Sequence, residues 1–97
     1  MYLRRKRRDA SHKPIVEALR KVGASVVCAA ELGNGIPDLI VGFRGVTRWL
    51  EVKSGSALKP EQIDFAATWR GGDVRVVTTP DEALRAIGAI ADVAPPY

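Results

Sequence analysis

A chain of 97 residues, 46% hydrophobic and 6% aromatic, is long enough for one compact domain and too short for two. No apolar run approaches the ~20 residues of a membrane-spanning helix. The basic start is followed by Asp9, Ala10, Ser11, His12 and Lys13, where a secretory signal would be apolar, so a cytoplasmic protein without a membrane role is expected. The single Cys28 cannot form an internal disulfide, and the single His12 leaves no cluster at zinc-ligand spacing. The net charge of +4 is unevenly spread: residues 1–21 carry +6 and the remainder −2. Arg4, Arg5, Lys6, Arg7 and Arg8 form an unbroken basic run. Such a run either binds a polyanion such as DNA or is a solvated terminus.

Residues 1–12 read as a basic N-terminal tail and 13–94 as the folded domain. Pro14 suits the first turn of a helix over 13–22, with Ile15, Ala18, Leu19 and Val22 at helical spacing and Gly23 as its stop. Ala24 to Ala30 is an apolar strand closed by the turn chemistry of Gly33-Asn34-Gly35. Ile36 to Phe43 and Val46 to Lys53 are two further strands hinged at Arg44-Gly45. A second helix spans 60–70, with Ile63, Ala66 and Ala67 on one side and Phe65 and Trp69 stacked at i, i+4, and it ends at Gly71-Gly72. Asp73 to Thr78 is a fourth strand. Thr79-Pro80-Asp81-Glu82 caps a third helix that runs to about Ala91. The element order is α-β-β-β-α-β-α.

A hairpin centred between Arg44 and Gly45 opposes residues whose numbers sum to 89, so Asp38 faces Glu51. Opposed side chains on a sheet lie about 5 Å apart, and two carboxylates there repel unless something positive intervenes. Strand alternation places Lys53 on the face of Glu51. One reading is a surface network in which Lys53 neutralises both acids. The other is a site for Mg2+ or Mn2+, which prefer hard oxygen ligands and use few carboxylates. The second is favoured because Asp38 leads into the apolar Leu39-Ile40-Val41, where an acid is costly without a partner.

Gly35-Ile36-Pro37-Asp38, then Glu51-Val52-Lys53, then Gln62 in a following helix, resemble the PD-(D/E)XK nucleases of the stand-alone VRR-NUC type, from about Ile15 to Ala83. The resemblance implies an α/β, restriction-endonuclease-like αβββαβ core with a mixed four-stranded sheet flanked by helices. It further implies a metal-dependent phosphodiesterase acting on DNA. Asp38 and Glu51 would be metal ligands, with the Val52 carbonyl a third. Lys53 would orient or activate water and stabilise phosphate charge, and Gln62 would border the catalytic group. Glu17 matches the position of a first-helix glutamate that assists metal binding in such nucleases, yet beside Lys21 at i+4 it reads equally as a solvated ion pair.

The remaining residues read plainly. His12 is expected to be solvated or to contact phosphate, Cys28 to be a small core residue, and Trp49 to pack on the second helix in preference to stacking on a base. Nothing in the sequence matches a phosphate-cradling glycine loop, so no nucleotide cofactor is expected. The sequence therefore points to a Mg-dependent endodeoxyribonuclease, with a non-catalytic nucleic-acid-binding or repair-complex module of the same fold as the alternative. The third helix, apolar on most sides, suggests a symmetric homodimer. The resemblance favours branched DNA, such as a Holliday junction, as its substrate.

Overall fold

The computed structural model describes residues 8–53 and 57–91, with side chains from His12 onward. Helix α1 (Arg8–Lys21) leads into strand β1 (Ser25–Cys28), a 3-10 turn (Ala30–Leu32), and strands β2 (Leu39–Phe43) and β3 (Val46–Val52). Helix α2 (Pro60–Thr68), strand β4 (Val74–Val77) and helix α3 (Pro80–Ala86) follow. The strands form one sheet in the order β1-β2-β3-β4. The first three are antiparallel neighbours and β3 and β4 are parallel, so the sheet is mixed, as expected. Parallel pairing needs a crossover, which α2 supplies. No helix among the described residues is long and apolar enough to cross a membrane.

The register follows from the hairpin turn. Arg44 and Gly45 both take positive φ, 52° and 81°, the conformation a two-residue turn needs to match the twist of its strands. Leu39 then pairs with Leu50 and Val41 with Arg48, in the register summing to 89. Alternation sends Val26, Leu39, Val41, Leu50, Val52 and Val77 to one face of the sheet, where Ile15, Val16 and Leu19 of α1 and Ala83 and Ala86 of α3 cover them. Arg48 donates from Nη1 to the Ile87 carbonyl at 3.2 Å, tying β3 to the end of α3.

The opposite face is covered by α2 through an aromatic trio. Phe65 and Trp69 stack with centroids 5.1 Å apart, and Trp49 meets both edge-on. Trp49 thus packs on the second helix, and the expected i, i+4 stack is present. Ile63 and Ala67, however, are exposed, because the packed side of α2 is the one bearing Gln62, Phe65 and Trp69.

Several boundaries differ from the sequence-based expectation; β2 begins at Leu39, three residues after Ile36, because the Gly33-to-Asp38 loop rests on α2 and does not pair. Helix α1 starts at Arg8, with Pro14 inside it and not at its first turn. Proline there removes one N–H, and the bond to the carbonyl four residues earlier, but its φ is helical. The upstream turn is held by buried His12, which continues the stripe of Ile15, Val16 and Leu19. The first strand is shorter than expected because Ala30–Leu32 close into the 3-10 turn. Helix α3 stops at Ala86, short of Ala91. Gly88 at φ 82° donates to the Arg85 carbonyl and Ala89 to that of Leu84, a Schellman termination that only a residue at ease with positive φ completes cheaply. Helix α3 packs on the core through Ala83 and Ala86, followed by buried Ile87, with Leu84 and Ala89 partly buried and Ile90 exposed.

Candidate active site

Asp38 stands one residue before β2, where the two central strands stop pairing. Its carbonyl accepts from Ala29 N–H at 2.7 Å, anchoring it to the end of β1, and its Oδ2 accepts from Val52 N–H at 2.9 Å. The carboxylate takes the place a backbone carbonyl would fill if the ladder continued. In an antiparallel strand the N–H and C=O of one residue point the same way. The Val52 carbonyl therefore faces the Asp38 side, as required of a third oxygen donor.

Glu51 lies at the matching position on β3 and is 3% exposed. Its Oε2 accepts from Gln62 Nε2 at 2.8 Å and lies 3.7 Å from Lys53 Nζ. Gln62 has one orientation available, because its Oε1 accepts from Lys59 N–H at 2.8 Å at the start of α2, turning Nε2 toward Glu51. Asp38, Glu51, Val52, Lys53 and Gln62 are thus brought together at one rim of the sheet.

The loop before Asp38 fixes this geometry. Gly35 has φ 79°, and a Cβ there would collide with the carbonyl of Glu61, so the loop rests against the backbone of the first turn of α2. Gly35 is thus more than a turn residue: its missing side chain lets the loop carrying Asp38 dock on the helix carrying Gln62.

Burial, and secondly the charge of Asp38, push the Glu51 carboxyl up from 4.5 to about 7, against the opposing pull of Lys53. A divalent cation between the carboxylates would offset both penalties. The donors suit a hard ion: two carboxylates, each oriented by an N–H on one oxygen, with a backbone carbonyl turned to the same side. Among the described residues no three His, Cys, Asp or Glu side chains converge as a ready-made cage. Mg2+ does not require one, since it binds one or two carboxylates and fills its shell with water and substrate oxygens.

The other sequence candidates are not joined to this cluster by any described hydrogen bond or ion pair. Glu17 is exposed on α1, lining a groove of about 400 Å³ with His12, Lys13, Val16, Arg20 and Cys28. It is not among the described hydrogen-bond or ion-pair partners of Asp38 and Glu51. Arg4, Arg5, Lys6 and Arg7 lie outside the described residues, as does the side chain of Arg8, whose backbone opens α1. Cys28 is exposed where a core position was expected, because it ends β1 beside this groove.

His12, like Cys28, differs from its expected placement. It is 8% exposed, not solvated, and its Nε2 lies 3.8 Å from Asp38 Oδ2. The helical spacing of 12, 15, 16 and 19 contains the signal, which a helix beginning at residue 13 leaves out. Compared with family models, curated proteins and solved structures, the chain has no match.

Proposed function

We propose that this protein is a metal-dependent endodeoxyribonuclease that hydrolyses phosphodiester bonds, with Mg2+ or Mn2+ held by Asp38, Glu51 and the Val52 carbonyl. The observation that carries the reading is the opposition of two carboxylates, one of them almost fully buried, with an ammonium group 3.7 Å from the buried one. A fold does not keep such a repulsive pair for stability. A bound divalent ion would shield phosphate charge and acidify water.

The protein's own groups divide the remaining work. Val52 N–H and Gln62 Nε2 hold the two carboxylates in fixed planes, so little reorganisation is needed when a cation and phosphate arrive. Lys53, half-buried beside Glu51, presents positive charge to phosphoryl oxygens as negative charge builds on them. Water is the fitting nucleophile for a site lined by carboxylates, a lysine and a carboxamide. The basic run from Arg4 to Arg8 would hold the DNA backbone, and branched DNA cut by a homodimer follows the family resemblance.

The test is cleavage of linear, nicked, flapped and four-way-junction DNA with Mg2+, with Ca2+ and with excess EDTA. Cleavage is expected with Mg2+ alone, as paired symmetric nicks on the junction. Asp38→Ala, Glu51→Ala and Lys53→Ala should each abolish it while DNA binding persists. Undiminished cleavage in EDTA or by the Glu51 variant overturns the mechanism, and equal cutting of linear duplex overturns the preference for branches. DNA binding without cleavage of any substrate returns the chain to a binding module.

A further inference from the structure

We infer that His12 is a further ligand of the cation held by Asp38 and Glu51, and that it biases the site toward Mn2+ over Mg2+. The inference rests on the metal-dependent reading above and adds to it a nitrogen donor from α1. His12 is 8% exposed and occupies the core-facing stripe of that helix, one turn before Ile15 and Val16. Burying an imidazole among apolar neighbours is costly unless its nitrogens are used.

The nitrogen that points toward the site is Nε2, 3.8 Å from Asp38 Oδ2. That separation is too long for a hydrogen bond. Adjacent donors around an octahedral ion with bonds of about 2.1 Å lie about 3 Å apart, so an imidazole already within roughly 1 Å of that spacing needs only a small side-chain rotation to share an ion with Asp38.

Direction supports the assignment as well. Glu51 and Gln62 reach the rim from the α2 side of the sheet, whereas His12 comes from the α1 side. Asp38, held in the plane of the sheet by Val52 N–H, lies where the two approaches meet. Glu17 is five residues further along α1, about 140° around the helix, and is exposed. The helical position that approaches Asp38 is therefore that of His12. Imidazole is a better ligand for Mn2+ and later metals than for Mg2+, which gives the site its bias.

Because His12 is the only histidine in the chain, any histidine nitrogen on the metal identifies itself. Untagged protein labelled with 15N-histidine, and its unlabelled counterpart, would be loaded with Mn2+ and studied by electron spin-echo envelope modulation. A directly bound imidazole nitrogen that changes from a 14N to a 15N pattern on labelling is expected. Isothermal titration of His12→Ala should show Mn2+ affinity reduced about tenfold or more with Mg2+ affinity changed far less. Should that variant not fold, the wild-type spectrum decides alone. Bound Mn2+ without a histidine nitrogen overturns the role of His12 and leaves the nuclease reading standing. No Mn2+ binding by the wild type overturns both.

Discussion

Glu51 retains its proton to about pH 7 in the folded chain and loses it near 4.5 when exposed. Below pH 4.5 both states are protonated and the residue does not distinguish them. Between 4.5 and 7 the folded state binds more proton than the unfolded one, so stability falls as pH rises, and above 7 the loss is complete. At about 1.4 kcal/mol per unit, less the screening by solvent at the rim, the shift withholds a few kcal/mol at neutral pH. Glu51→Gln keeps an acceptor for Gln62 while discarding the charge. In urea denaturation without divalent cations, it should be more stable than the wild type by about 1–3 kcal/mol at pH 8 and indistinguishable at pH 4.5. Lower stability of the variant at pH 8 would show that Glu51 is not under electrostatic strain. The acids and Lys53 were legible because a two-residue turn counts residues outward on both strands. His12 was not, because a proline inside a helix reads in sequence as the start of one. Nor was the exposure of Cys28, since alternation assigns a face but not how far a helix covers it.

At the level of elements, the site depends on a junction with no side chain in it. Gly35 lets the loop before β2 touch the backbone of α2, which fixes Gln62 against Glu51 and Asp38 beside Val52. Gly35→Ala adds both a left-handed penalty and a collision with the Glu61 carbonyl, so it should cost about 2 kcal/mol or more and depress cleavage beyond the loss of folded protein. Gly88→Ala is the control: its φ is also positive, but open space surrounds it, so about 1 kcal/mol should be lost with cleavage by the folded fraction intact. Urea denaturation paired with the junction assay checks both, and equal effects on cleavage would remove Gly35 from the site. Order and pairing of elements were readable from periodicity and turn residues. The ends of α1 and α3 were not, because each depends on a competing feature, a buried histidine in one and a glycine-led termination inside an apolar run in the other.

At the scale of the whole molecule, net charge is unevenly distributed along the sequence. The excess positive charge lies in residues 1–21, while the carboxylate pair belongs to the slightly acidic remainder. Removing residues 1–7 takes away four of the five consecutive basic residues and leaves α1 whole. It should weaken DNA binding and flatten the dependence of log affinity on log salt by about 0.9 for each phosphate no longer neutralised. Fluorescence anisotropy across a salt series measures this, and an unchanged slope would make the run a solvated terminus.

The hairpin turn between β2 and β3 has a consequence for how this sequence resolves its own conflicts. Sliding the strands by two residues would keep every side chain on its face and set Asp38 opposite Lys53, an attractive pairing in place of a repulsive one. The turn would then fall on Gly45-Val46, where the β-branched Val46 would have to leave the extended conformation it favours. Leu39 would also lose Leu50, its fully buried partner. Turn geometry and core packing thus hold the chain in the alignment its charges oppose. That frustration is local to the rim where Asp38 meets Glu51, and turn geometry together with the Leu39–Leu50 pair holds it in place.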